Sequence, residues 1–130
     1  MAAGLSDGLG LGDNFKSYLI SQGLEEILEF GAGLGLPKEE VLQINSVSDL
    51  LVTAYSTHSR NYRFGFLRGN KLSKIEILKQ IEMEVEGLSA LETVKYLSEV
   101  HKFQLPLMSL IFKIVHEEHD PSLILSILKK

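Results

Sequence analysis

From Asn14 to Leu128 the apolar residues recur at three- and four-residue spacing. Nowhere does the chain alternate apolar with polar residues between turn signals, as a half-buried strand would. That periodicity confines the chain to helices packed on helices, so the expected fold class is all-α. A first helix, capped by Asp13 or Asn14, carries Leu19, Ile20, Leu24, Ile27, Leu28 and Phe30 on its buried side and ends in the glycines of GAGLG. Pro37 stands where a helix starts, with Glu39 and Glu40 in the first turn, where the positive end of the helix dipole favours acids. Leu50, Leu51, Val52 and Ala54 form a short apolar segment. Residues 73–83 read as a helix with Ile75, Leu78 and either Ile81 or Ile77 inward. Residues 90–103 follow, with Leu91, Val94, Leu97 and Val100 inward. Pro106 opens a helix carrying Leu107, Leu110, Ile111, Ile114 and Val115, and Pro121 opens the last, through Ile124, Leu125 and Leu128. The sequence contains no internal repeat and no low-complexity linker.

With 130 residues there is room for one domain around a single core. Thirteen basic and seventeen acidic side chains give a net charge of −4, so no global field draws nucleic acid or an anionic membrane surface. Any anion must be held locally. The absence of cysteine excludes disulfides, thiolate metal sites and a thiol nucleophile. No apolar run approaches the ~20 residues of a membrane span. The first residues have neither the basic nor the apolar region of a signal peptide, so a cytoplasmic location is the expectation. Gly4, Gly8, Gly10 and Gly12 crowd the same stretch. Such glycines mark close backbone approach or positive φ. A glycine turn normally joins two elements, and no first element precedes this one. The stretch therefore reads either as a loose tail or as the start of the second half of a longer protein.

Several candidate chemistries fail on spacing. His116 and His119 with Glu117 and Glu118 sit three apart at a helix end, not in the i, i+4 arrangement of a zinc site, and a solvated helix end is the better reading. GLGLG and GAGLG do not continue as a dinucleotide fingerprint after a strand. Met83 and Met108 are most simply core fillers. The stretch SVSDLLVTAYSTHSRNYRFG is different. Asp49 and Thr53 lie one helical turn apart and share a face. Ser56, Thr57 and Ser59 then lead into Arg60 and Asn61, where a helix begins. Free backbone N–H groups, a carboxamide and a guanidinium at a helix start make a ready phosphate site. Together these residues could grip a hydroxylated, phosphorylated small molecule. The structural alternative is that Ser59 merely caps the helix while Arg60 pairs with Asp49.

The pieces AAGLSDGLGLGDN, SYLISQGLEEILEFGAGLG, SDLLVT, SRNYRFG, VEG and LPLMSLIFKIV occur in the order and at the separations of one family. Across essentially its whole length the chain resembles the C-terminal domain of bacterial-type NAD(P)-dependent glycerol-3-phosphate dehydrogenases. The resemblance implies a multi-helix bundle of the sort seen in the C-terminal domains of 6-phosphogluconate-dehydrogenase-like enzymes. It also implies that residues 1–130 are the substrate domain of a protein whose dinucleotide-binding domain lies upstream. By resemblance, Asp49, Thr53, Ser59, Arg60 and Asn61 are substrate-binding, and Arg60 and Glu86 meet the NAD or NADP cofactor. The family's catalytic lysine lies before the first residue here, so no catalytic residue is expected within the chain, and Lys16 is no substitute. The implied reaction interconverts sn-glycerol 3-phosphate and dihydroxyacetone phosphate. The implied partners are those substrates, the upstream domain and a second copy in a homodimer. No metal is implied. Ser46, Val47 and Ser48 replace the glycines that relatives place around the aspartate. The rival reading is a non-enzymatic helical interaction domain, which would scatter Asp49, Arg60 and Asn61 in space.

Overall fold

The structure, a computed structural model, describes residues 1–129 apart from the side chains of residues 44–46, so the Ser46 side chain beside Asp49 lies outside the described residues. Among the described residues the chain forms helices and no strand. In order they are α1 (Ala2–Gly8), α2 (Gly12–Gly33), α3 (Lys38–Val41), α4 (Ile44–Tyr55), α5 (Arg60–Gly69), α6 (Lys74–Gln80), α7 (Glu86–His101) and α8 (Pro106–His116), closed by a 3₁₀ helix, Pro121–Leu128. Leu5, Leu19, Phe64, Ile77, Ile114 and Ile124 form the fully buried centre, drawn from six of these elements.

The first seven residues are not a tail. Ala2–Gly8 is a helix that packs chiefly on α5, and glycine makes the packing possible. Gly4 and Gly8 on α1 face Gly65 and Gly69 on α5, each pair one turn apart. A Cβ built on Gly4 would stand 2.9 Å from the Phe66 nitrogen, and one on Gly69 would stand 2.7 Å from the Leu5 carbonyl oxygen. Carbon does not approach backbone that closely, so the two helices meet main chain to main chain only because side chains are absent. Gly10 and Gly12, at φ 68° and 78°, then turn the chain into α2.

α2 departs from the expected apolar face. Its buried line is Lys16, Leu19, Gln22 and Glu26, while Ile27 is exposed and Leu24, Leu28 and Phe30 are half-buried. The reason is that α2 supplies polar contacts to its neighbours. The Glu26 carboxylate accepts the backbone N–H groups of Leu107 (2.6 Å) and Met108 (2.9 Å), capping α8, whose own N-cap residue Leu105 has no polar side chain. Burial pushes the Glu26 carboxyl above its usual range, against the pull of those two N–H groups. Nor does Asp13 or Asn14 cap α2, which starts at Gly12 with no side-chain cap bond.

Other differences have equally local causes. In α6 it is Ile77 and Ile81 that turn inward, one turn apart, while Ile75 is 67% exposed and Leu78 also faces out. A capping box of Ser73 and Glu76 fixes where this short helix starts, and two residues of α-helix rotate Ile75 to the side opposite Ile77. In the last element Pro121, Ile124 and Ile127 are buried at intervals of three, whereas Leu125 and Leu128 are exposed. A 3₁₀ helix has three residues per turn, and the expectation assumed 3.6. α7 starts at Glu86, earlier than expected, and leaves Val100 exposed. The short apolar segment around Leu51 extends into the twelve-residue α4, with Leu51, Val52 and Tyr55 exposed.

The end of α8 is not simply solvated. The His116 imidazole is buried and stacked on Phe112, with Nε2 3.0 Å from the Leu88 carbonyl and Nδ1 3.2 Å from Lys74 Nζ. His119 stays exposed with Glu117 and Glu118, 3.2 Å from the Glu117 carboxylate. Beneath them the buried Arg68 guanidinium donates to the carbonyls of Ile114 (3.0 Å), Leu72 (3.2 Å) and His119 (2.7 Å), joining α5 to the end of α8.

Candidate functional site

α5 starts as its sequence requires. Ser59 takes an extended backbone, and its Oγ accepts the Tyr62 N–H at 3.3 Å, so it is the N-cap. The next residues, Arg60 and Asn61, occupy the first turn, whose N–H groups have no acceptor within the helix. No acidic residue occupies that turn, so the positive end of the dipole is not offset there.

Asn61 reaches across to α7. Its side-chain oxygen accepts the Gly87 N–H at 3.0 Å, which caps a helix whose N-cap residue, Val85, has no polar side chain. A backbone N–H requires an acceptor, so this bond fixes the carboxamide orientation. The oxygen is used, and among the described residues the Nδ2 hydrogens have no acceptor. Asn61 can offer donors only. The glycine of VEG is explained by the same contact, because a Cβ on Gly87 would lie 2.5 Å from the Asn61 oxygen.

Thr53, Ser59 and Asn61 line one cavity of about 320 Å³. Leu19, Ile20, Leu91 and Ile111 supply apolar wall from α2, α7 and α8. Thr53 shows the complementary bias. Its single hydroxyl hydrogen is shared between the carbonyls of Asp49 (2.7 Å) and Leu50 (3.1 Å), so it is engaged within α4 and lone pairs remain for a ligand. The cavity thus presents donors at Asn61 and an acceptor at Thr53.

The other expected residues stand outside this lining. Arg60, 37% exposed at its side chain, has its Nη2 3.9 Å from the open carboxylate of Glu86, so the two residues expected at a cofactor are neighbours. The partner of Arg60 is therefore Glu86, not Asp49. A pair this loose and exposed contributes little stability and is easily re-formed around a ligand. Asp49 is exposed one turn before Thr53 and is not part of the cavity wall.

Sequence reasoning missed the polar cluster behind α5. Lys16, only 9% exposed at its side chain, lies 2.9 Å from Asp7, and the same carboxylate oxygen accepts the Tyr62 hydroxyl. The Lys16 ammonium also sits over the Tyr55 ring, 4.8 Å from its centroid. The hydrogen bond to Asp7 holds the Lys16 pKa above its ordinary value of 10.5, so the ammonium is charged throughout the neutral range. No motif flags this cluster, because Asp7 and Lys16 stand tens of residues before Tyr55 and Tyr62 in sequence.

Fold and site together define an all-helical domain whose α5 begins, with Ser59 and Asn61, in the wall of a cavity lined also from α2, α7 and α8. Residues 1–126 match the family described as the C-terminus of NAD-dependent glycerol-3-phosphate dehydrogenase, and the chain belongs to that family. It is 42% identical over 121 residues to the glycerol-3-phosphate dehydrogenase [NAD(P)+] of Thermoanaerobacter sp. strain X514, covering 93% of this chain and 37% of that protein. Its identity to the protein of the same name from Oceanobacillus iheyensis is 40%, over 93% of this chain and 35% of the relative. In structure it resembles the glycerol-3-phosphate dehydrogenase of Coxiella burnetii, with a TM-score of 0.94 at 33% identity, over 99% of this chain and 40% of that one. The chain thus spans little more than a third of the length of the curated relatives it matches.

Proposed function

We propose that this chain is the substrate-side wall of an NAD(P)-dependent glycerol-3-phosphate dehydrogenase, interconverting sn-glycerol 3-phosphate and dihydroxyacetone phosphate as a feed to glycerophospholipid synthesis in the cytoplasm. The observation that carries this reading is the donor-only carboxamide of Asn61, fixed by the Gly87 N–H beside the open N-terminus of α5. Such a group donates to a phosphate or carbonyl oxygen and has nothing to offer a second hydrogen-bond donor. Thr53, whose hydroxyl hydrogen is spent, suits a substrate hydroxyl at the other side of the cavity.

In this reading Asn61, the first N–H groups of α5 and the Arg60 guanidinium hold the phosphate. Binding energy remote from the reacting carbon then fixes that carbon's orientation. Thr53 orients the polyol, and Asp49 comes into play when the dinucleotide-binding domain closes the open side. The guanidinium of Arg60 and the carboxylate of Glu86 suit a nicotinamide cofactor, the former toward its phosphates and the latter toward its hydroxyl groups. When bound, that cofactor supplies the hydride acceptor. The proton-shuttling lysine and most of the cofactor site belong to the other domain, and the working protein is a homodimer. This 130-residue chain by itself therefore binds substrate but does not turn it over.

The reading is tested by titrating the chain with glycerol 3-phosphate and, separately, with glycerol. Phosphate-dependent binding is expected. Asn61→Asp keeps the acceptor for Gly87 but loses the donors and adds a negative charge, so affinity should fall roughly 10- to 100-fold. Arg60→Ala should weaken binding of glycerol 3-phosphate and leave glycerol unaffected. Equal binding of both ligands, or an Asn61→Asp chain that binds as well as the parent, would contradict the assignment.

A further inference from the structure

We infer that Lys16 is a positioning residue for the anion site at the start of α5, acting from behind through Asp7, Tyr62 and Tyr55; the inference rests on the function proposed above. The hydrogen-bond and ion-pair partners of Lys16 among the described residues are Asp7 and Asp13, not Ser59, Arg60 or Asn61. What it does is hold both ends of the segment that carries them. Tyr55 is the last residue of α4, and its ring lies against the Lys16 ammonium at 4.8 Å. Tyr62 lies in the first turn of α5, and its hydroxyl is bonded to the carboxylate oxygen of Asp7 that also takes the ammonium at 2.9 Å. The loop from Ser56 to Ser59 and the first residues of α5 are therefore clamped between two tyrosines that converge on one buried cation.

A buried ion pair is a poor way to gain stability. Desolvating the charges offsets most of their attraction, and an apolar residue of similar volume often serves as well. Its distinctive property is direction. The Asp7 carboxylate can accept Tyr62 only in one place, and Lys16 fixes the carboxylate in that place from the side of α2. Asp13, 3.6 Å from the ammonium, is largely solvated and cannot substitute for Asp7. Tyr62 lines the same cavity as Asn61 and Ser59, so a shift in Tyr62 moves the wall and the helix start together. A displacement of even ~1 Å in positioned ligand groups is costly to binding and orientation.

The test compares the parent chain with Lys16→Met, Lys16→Arg and Tyr62→Phe by residue-resolved amide exchange and by glycerol 3-phosphate titration. Lys16→Met should speed exchange of the Tyr62 and Arg63 amides at least about tenfold, while Ile114 in α8 keeps its protection. Its affinity for glycerol 3-phosphate should fall by about tenfold. Lys16→Arg, which retains the charge, should stay within about threefold of the parent in both readings. Tyr62→Phe removes one hydroxyl and nothing else, so it should reproduce the local exchange change and decides the matter if Lys16→Met does not fold. Uniformly faster exchange in α5 and α8, or no change at Tyr62 and Arg63, would overturn the inference, since Lys16 would then be holding the whole fold or nothing. Failure of the parent to bind glycerol 3-phosphate would remove the proposed function, and the exchange pattern would still decide whether Lys16 holds this segment.

Discussion

Replacing Gly65 by alanine is expected to cost about 3–5 kcal/mol, enough to lower the melting temperature by roughly 10–20 °C in a domain of this size. The added methyl would stand 2.9 Å from the Leu5 nitrogen and against the Met1 carbonyl, both backbone atoms that cannot rotate away. α1 and α5 would have to separate, and among the described elements no other pair brings so much backbone close together. The same chemical change at Gly23 should have the opposite sign. There a Cβ meets only the end of the Leu107 side chain at 3.7 Å, an ordinary contact, inside the long helix α2. Alanine should therefore stabilise by about 0.5–1 kcal/mol, through helix propensity alone. Thermal melts of the two variants measure the difference. Equal effects would mean that α1 does not pack on α5 through its glycines.

Arg68→Met should be comparably damaging, by about 3–5 kcal/mol, although it puts an apolar residue into a buried position. The guanidinium donates to three carbonyls from three places, Leu72, Ile114 and His119, and methionine would remove the donor from all three, including the buried bond to Ile114. Arg68→Lys should recover only part of the loss, because an ammonium on a flexible stem cannot match a planar fork aimed in three directions. Denaturant unfolding of both variants tests this. A methionine variant as stable as the parent would show that the carbonyls find other donors.

The helical class could be read from the sequence because packing against a core enforces the apolar period wherever a helix is long. Pro106 and Pro121 marked true starts, and Ser59 marked a true N-cap. The period failed where the buried line is polar. Lys16, Gln22 and Glu26 carry ammonium, amide and carboxylate groups that composition assigns to solvent; Lys16 and Glu26 are met by partners from α1 and α8, and Gln22 bonds to Tyr18 and Glu25 within α2. It failed again in the last element, where three residues per turn replace 3.6 and exchange Ile127 for Leu128. Gly4 and Gly8 signal close backbone approach, and the sequence also carries the partner of that approach. Gly4 and Gly8, and Gly65 and Gly69, are two glycine pairs at helical spacing, which is the pattern of two helices in backbone contact. At the site, the helix start at Arg60 was legible from its capping serine. The bond that fixes Asn61 was not, because Gly87 lies 26 residues away and the contact exists only once α5 and α7 are folded.

The central claim is that a phosphorylated polyol is held where α5 begins, by a carboxamide whose oxygen is already engaged by α7. Chemical-shift mapping of the isotopically labelled chain during titration with glycerol 3-phosphate tests it most directly. The largest changes should fall on the backbone amides of Arg60 and Asn61, on the Asn61 side-chain amide, and on the Gly87 N–H bonded to it. Glycerol at the same concentration should leave the α5 amides in place. Largest changes elsewhere, on α6 or on the 3₁₀ helix, with residues 59–61 and Gly87 unmoved, would contradict the account.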